Sequence, residues 1–203
     1  MNRYLVVMAK EPRAGSVKTR LAKDIGVVPA TTFYRKALAN LLQRIGGDPR
    51  WNTLLAVSPD TALVSPVWPA AISLTPQGRG DLGARMQRMF DDLPHGPVVI
   101  IGTDIPEIRP RHVAAAFDVL GSNDTVVGPG DDGGYWLIGQ RRTPKAHSIF
   151  ENVRWSSPHT LNDTMKNMRS LSVATLDQLR DVDDGKTFRQ LNNAASRVIA
   201  SMR

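Results

Sequence analysis

The sequence predicts an α/β fold in which helices cover both faces of a mainly parallel sheet. Three observations predict it. Short runs rich in Val, Ile and Leu alternate along the chain with stretches of helical period, the pattern of strand–helix–strand crossovers. The short runs are bounded by Gly, Pro or Asp, the residues that end strands. The run VVIIG, residues 98–102, is apolar on both faces, as a strand buried between two helical layers must be.

Taken in order, residues 4–8, 53–57, 71–74, 98–101, 125–127 and 135–138 read as strands. Residues 31–45 place Phe33, Ala37, Leu38, Leu41, Leu42 and Ile45 at helical spacing, and Gly46-Gly47 stops the pattern. Residues 81–93 and 111–120 read as shorter helices, the second stopped by Gly121, and residues 187–202 as a C-terminal helix. Crossovers between parallel strands are expected to be right-handed. The stretch 139–157 is less regular and reads as an excursion that completes a pocket. No internal repeat, low-complexity tract or second domain is visible, so residues 1–203 are expected to form one domain.

With 41% hydrophobic and 22% charged residues, the chain can bury an ordinary core. The absence of cysteine excludes disulfides, thiolate metal sites and cysteine nucleophiles. The first apolar run gives way at once to charge, too soon for a signal-peptide core. No segment approaches the roughly 20 apolar residues of a membrane span. The expectation is a cytoplasmic protein with no membrane span. The formal net charge is +7, yet the basic residues are scattered and not interleaved with aromatics. Nucleic acid is therefore not the expected partner. A surplus of Lys and Arg also suits an enzyme that holds small polyphosphates, or is simply a basic surface.

Ligands of open parallel sheets bind beyond the carboxyl ends of strands, so the polar residues after each strand are the candidates. The first loop, AKEPRAGSVKTRL (residues 9–21), carries Lys10, Arg13, Lys18 and Arg20, with Gly15 letting the backbone approach a phosphate. Lys18-Thr19-Arg20 opens a helix whose N-terminal amides favour an anion. A P-loop needs glycine directly before its lysine, and Val17 stands there, so this is a different phosphate cradle or an exposed basic turn. In IGTDIPEI, Asp104 either ligates Mg2+ or caps the next turn. In GPGDDGGYWLIG, Asp131-Asp132-Gly133-Gly134 reads as a hairpin turn that also serves a site, since adjacent carboxylates repel without a nearby cation. In RDVDDGKTF, Asp181 and Asp183 precede a helix that Asp184 can cap; no glutamate completes an EF-hand. The four histidines, His95, His112, His147 and His159, are scattered, and no Ser/His/Asp nucleophile is visible.

On these segments the sequence resembles the nucleotide-diphospho-sugar transferase superfamily, with its GT-A fold. It is similar to the MobA-like nucleotidyltransferases, to small bacterial proteins called glycosyltransferases, and in part to 2-phospho-lactate guanylyltransferases. The matching stretches are VVMAKEPRAGSVKTRLA, GRGDLGARM, IGTDIPEI, VVGPGDDGGYWLIG, VRWSS and DVDD, in family order across nearly the whole chain. The resemblance implies a three-layer α/β/α, Rossmann-like domain with a mainly parallel, mixed sheet. It implies that the first loop, with Ala9, Lys10, Arg13, Gly15, Lys18 and Arg20, wraps the nucleotide and its phosphates. It implies Gly80, Asp81, Gly83 and Thr103 beside the nucleotide, and Asp104 with Asp183 as ligands of Mg2+ or Mn2+, with Asp181 the second choice for the place of Asp183. Asp132, Gly133, Gly134, Tyr135 and Trp155 would face the acceptor. The loop departs from the glycine-rich form of sugar-nucleotide pyrophosphorylases, so base preference does not carry over. Trp155-Ser156-Ser157 and Asp184 replace the family's Trp-Ser-Thr and Asp-Val-Asp-Thr endings, changes mild in size and polarity.

The function this implies is nucleotidyl transfer: a small anionic acceptor attacks the α-phosphorus of a nucleoside triphosphate and pyrophosphate leaves. Lys18, Arg20 and Asp104 are then the residues that carry catalysis, by positioning and charge neutralisation. Glycosyl transfer from a nucleotide-diphospho-sugar is the first alternative, and the basic loop favours the more highly charged triphosphate. A non-catalytic nucleotide-binding protein is the second alternative, opposed by carboxylates in three separate segments. The expected partners are the nucleotide and a small-molecule acceptor; a homodimer is a further expectation.

Overall fold

A computed structural model describes residues 2–191 and 193. The strands are β1 (Tyr4–Lys10), β2 (Asn52–Ser58), β3 (Ser73–Pro76), β4 (Val98–Ile101), β5 (Thr125–Pro129), β6 (Tyr135–Gln140) and β7 (Val173–Thr175). They form one sheet in the order β3-β2-β1-β4-β6-β5-β7. β6 runs antiparallel to both of its neighbours, and the other pairings are parallel. This is the mixed, mainly parallel α/β fold of the GT-A kind.

Alternation along the central strands builds both layers. Leu5, Val7 and Ala9 of β1 and Val99 and Ile101 of β4 face one core, and Tyr4, Val6, Val98 and Ile100 face the other. The first core is closed by α2 (Val27–Ile45) through Tyr34, Leu38, Leu41, Leu42 and Ile45, and by α4 (Pro110–Val119) through Val113, Ala116 and Phe117. The second is closed by α3 (Leu82–Asp92) through Met86, Met89 and Phe90, with Ile149 and Phe150 of the following excursion. A short helix, α1 (Thr19–Ile25), precedes α2, and α5 (Thr160–Asn167) follows the excursion. A 3-10 turn, Asp60–Val64, links β2 to β3.

Several boundaries differ from the expectation. The helix expected over 31–45 begins at Val27, and its buried stripe includes Ala30, Thr31 and Tyr34 in place of Phe33 and Ala37. The strand expected over 71–74 is shifted to Ser73–Pro76. α5 and β7 were not legible: α5 buries Thr160, Asp163 and Thr164, so it shows no apolar stripe, and β7 is three residues long, two half-buried and one exposed. The helix expected over 187–202 is present from 185 to 191, and most of the remainder lies outside the described residues. The Asp131–Gly134 segment is a hairpin turn, as its Asp-Gly composition predicted. Because β5 is parallel to β4, that turn lies at the same edge of the sheet as the carboxyl ends of β1 and β4. Among the described residues no helix is long and apolar enough to cross a membrane.

Candidate active site

At that edge a cleft of about 580 Å3 opens between the ends of β1 and β4, the first loop, the start of α3 and the start of β6. The backbone that forms its floor is tightly fixed. Tyr34 of α2 accepts from the Lys10 amide and donates to the Lys10 carbonyl, both at 3.0 Å, and receives the Thr103 hydroxyl at 3.4 Å. Gln77, directly after β3, gives both amide hydrogens to main-chain carbonyls, Ala9 at 3.1 Å and Ala56 at 2.8 Å. Burial pushes the Tyr34 phenol pKa up, although its hydrogen bonds to Thr103 and Lys10 work the other way.

The loop after β1 explains why it is not a P-loop. Val17, in the place of the P-loop glycine, is buried and belongs to the hydrophobic core, so it anchors the loop from below. Lys18 follows as the N-cap of α1 with left-handed backbone, φ 49° and ψ 44°, a conformation uncommon for a residue with a side chain. This turn directs the Lys18 side chain inward. Its ammonium lies 2.7 Å from Asp104 Oδ1 and 2.8 Å from Asp183 Oδ1, and the side chain is only 4% exposed. Arg20 reaches Asp183 Oδ2 at 3.5 Å. Burial alone would lower the Lys18 pKa, but the Coulombic pull and hydrogen bonds of Asp104 and Asp183 outweigh it and hold it above the ordinary lysine value. Lys18 is therefore a fixed positive charge.

Asp183 reaches the site through main-chain pairing. The Val182 amide donates to the Asp104 carbonyl at 3.1 Å, laying the 181–184 segment along the end of β4. Gly185 N donates to Asp24 Oδ2 at 2.7 Å, and Asp184 Oδ1 accepts from Thr187 N at 2.8 Å, the helix cap that the sequence predicted. Asp181, the second-choice metal ligand of the sequence reading, does not line the cleft. Its burial, with the carboxylates of Asp183, Asp132 and Asp131 nearby, pushes its pKa up to about 7, against a smaller opposing pull from Lys18.

The other expected residues divide. Ala9, Lys10, Lys18, Arg20, Thr103 and Asp104 line the cleft, as do Gly80, Asp81, Tyr135 and Asp183. Arg13 and Gly15 are exposed outside it, and Arg13 pairs with Glu11 at 3.0 Å. Asp81 caps α3, accepting from Ala84 N at 2.8 Å. Gly83 and Trp155 lie beside the cleft in one packing contact: a Cβ on Gly83 would come within 2.6 Å of the Trp155 ring. Asp132 accepts from Gly134 N at 2.8 Å, fixing the turn. Gly133, at φ 85°, lies against the Pro158 backbone. Tyr135 contributes its ring to the cleft, while its hydroxyl is buried beside Thr164 of α5 and its pKa is pushed up by that burial. Asp132, Gly133, Gly134 and Trp155 thus form the support of the Tyr135 end.

Three cleft residues went unread in the sequence. Tyr34 sits inside the apolar periodicity of α2 and Gln77 in the Pro-Gln-Gly turn after β3, and only the fold reveals what their buried polar ends reach. Arg85 of α3 lines the cleft, with Nε donating to Gly80 O at 3.0 Å and Nη1 to Ser58 Oγ at 3.4 Å. Its place in GRGDLGARM was the available signal.

A divalent ion fits the residues present. Asp104 Oδ1 and Asp183 Oδ1 converge on one point, already holding a cation, and both side chains stay partly exposed, at 50% and 37%. Among the described residues no group of three or more His, Cys, Asp or Glu surrounds a common point. Two carboxylates with phosphate oxygens and water are the ligand set that Mg2+ prefers.

Comparison with known proteins gives the following. Residues 41–157 match a bacterial family described as "Uncharacterized protein conserved in bacteria (DUF2064)". No curated protein matched the sequence. A candidate nucleotide-diphospho-sugar transferase from Desulfovibrio desulfuricans G20 is 31% identical, with a TM-score of 0.81 over 91% of this chain and 84% of that one. The CMP:2-keto-3-deoxy-manno-octonic acid synthetase, solved with CTP, superimposes with a TM-score of 0.59 at 10% identity, over 97% of this chain and 99% of the other. The glucosyl-3-phosphoglycerate synthase of Mycobacterium tuberculosis, solved with Mn2+, UDP and glucosyl-3-phosphoglycerate, gives 0.55 at 12% identity, over 99% and 78%. At those identities the last two show the fold alone.

Proposed function

Because the chain belongs to the bacterial DUF2064 family and is a transferase of the nucleotide-diphospho-sugar kind, we propose that it transfers a nucleotidyl group from a nucleoside triphosphate to a small anionic acceptor. The observation that carries this reading is the Lys18 ammonium held between Asp104 and Asp183 at the carboxyl edge of the sheet, with Arg20 beside it. Lys10, Lys18, Arg20 and Arg85 bring positive charge to a cleft roomy enough for a nucleotide. Lys18 and Arg20 hold the β- and γ-phosphates, and their charge favours the leaving pyrophosphate as its oxygen separates from the α-phosphorus. Asp104 and Asp183 would hold Mg2+ or Mn2+, which supplies charge neutralisation on the phosphate oxygens. The fixed Ala9–Lys10 backbone, pinned by Gln77 and Tyr34, keeps the nucleotide in register with these groups. The Tyr135 ring, backed by the 130–134 turn, faces the acceptor.

One observation favours glycosyl transfer as a second reading. Arg13 is paired with Glu11 outside the cleft, so the first loop presents fewer free cations than the sequence suggested, a charge suited also to a diphosphate sugar. The M. tuberculosis neighbour, with UDP and Mn2+, is consistent with this chemistry on the same fold. Residues 1–203 are read as one such domain, cytoplasmic, with a homodimer as its assembly. Pyrophosphate release is the test: with Mg2+ or Mn2+, a panel of four nucleoside triphosphates and phosphorylated acceptors yields acceptor-dependent pyrophosphate. Release of free nucleoside diphosphate from a nucleotide sugar, with no pyrophosphate from any triphosphate, would replace this reading by the second.

A further inference from the structure

Resting on the metal site of that reading, we infer that the Asp104–Lys18–Asp183 centre takes a divalent ion as its polyphosphate complex and excludes the free ion. Lys18 Nζ occupies the point on which both carboxylates converge, 2.7 Å from Asp104 Oδ1 and 2.8 Å from Asp183 Oδ1. At 4% exposure its side chain is no passing surface contact. The root of that side chain is also fixed, because Val17 is sunk in the core and Lys18 is the left-handed N-cap of α1. Only the side-chain torsions are free to move the ammonium.

The charge balance sets what can enter. A free divalent ion meets two carboxylates already paired with the Lys18 ammonium, one of them also with Arg20, and to reach both it must expel a buried ammonium that gains no new acceptor. The polyphosphate complex changes that exchange. The carboxylates trade the ammonium for the metal, and the ammonium trades the carboxylates for phosphate oxygens, so every charge keeps a partner. Arg20, 3.5 Å from Asp183 Oδ2 and largely exposed, is placed to receive the same phosphates. Lys18 is thus a resident cation whose displacement couples metal entry to phosphate entry.

Equilibrium dialysis of the full chain against Mn2+, alone and with inorganic tripolyphosphate, tests this. Wild-type protein is expected to retain little Mn2+ alone and at least tenfold more with tripolyphosphate. Lys18→Met, which removes the charge and keeps the length, is expected to bind free Mn2+ at least tenfold tighter than wild type, and Lys18→Arg to stay weak. Adding Asp104→Asn to Lys18→Met is expected to abolish the gain. Wild-type retention of free Mn2+ as strong as with tripolyphosphate overturns the inference, and that arm needs no variant to fold. A Lys18→Met gain that survives Asp104→Asn overturns it too, by placing the ion elsewhere. Retention by no protein under either condition removes the metal site beneath the proposed function, whereas Asp104-dependent retention without any effect at Lys18 removes only this inference.

Discussion

Lys18 shows how much a single side chain can organise when its backbone is committed to an uncommon conformation. The left-handed turn costs on the order of 1 kcal/mol, and what it gains is an ammonium aimed between Asp104 and Asp183. Asp181, two residues before Asp183, is a carboxyl group whose titration is strongly disturbed. Its pKa near 7 is raised from the ordinary 3.8 by burial and by neighbouring carboxylates. The folded chain therefore keeps a proton there that the unfolded chain has already released between about pH 4 and 7. By linkage, this residue's contribution to stability is full below about pH 4 and is lost as the pH rises through 7. Asp181→Asn removes that loss, so at pH 8 the variant is expected to melt higher than wild type and at pH 4 no higher. Melting temperatures from pH 4 to 8 check this, and parallel curves for the two proteins would contradict it.

At the scale of elements, the site depends on segments that the chain's periodicity does not announce. The excursion after β6 is held in place by Trp155, whose ring covers Gly83 at the start of α3, with Phe150 packed against it 5.8 Å away between centroids. Gly83 is thus required by packing. Gly83→Ala would drive a methyl group into the Trp155 ring, an overpacking that costs about 1–3 kcal/mol and lowers the melting temperature by roughly 5 °C. The same change is expected to shift Ser156, which lines the cleft, and so to weaken nucleotide or acceptor binding. A variant that melts like the wild type would show that the Trp155 ring can yield. The doubled aspartate before Tyr135 has a comparable double explanation. Asp132 holds its own turn through Gly134, and Asp131 pairs with Arg180 at 3.0 Å, so neighbouring groups answer the repulsion that made the pair conspicuous in sequence.

For the whole molecule, the sheet and the place of the site were legible because they rest on periodicity and on chain breaks. VVIIG reads as a central strand, while Asp104, two residues after it, reads as either a metal ligand or a turn cap, and only the fold places it at the open edge. The Lys18–Asp104 pairing was implied as two parts of one site, though not as an ion pair. What escaped reading depends on contacts across long sequence separations. Tyr34 reaching Lys10, Gln77 reaching Ala9, and α5 burying threonines and an aspartate leave no mark in local pattern. Arg13 and Gly15 lie outside the cleft for a related reason, since the loop's shape, not its composition, decides which of its residues turn inward.

The proposal treats this edge of the sheet as a metal-dependent nucleotide site. It is tested most directly by the melting temperature of wild-type and Asp104→Asn proteins with saturating nucleoside triphosphate, with and without Mg2+. Binding at a hundred times the dissociation constant stabilises the fold by about 2.7 kcal/mol, a rise of roughly 5–10 °C for a chain of this size. That rise is expected for wild type only when triphosphate and Mg2+ are both present, and is expected to be lost in Asp104→Asn without a fall in the ligand-free melting temperature of more than a few degrees. An equal rise in Asp104→Asn, or no rise in wild type with any of the four triphosphates, would contradict it.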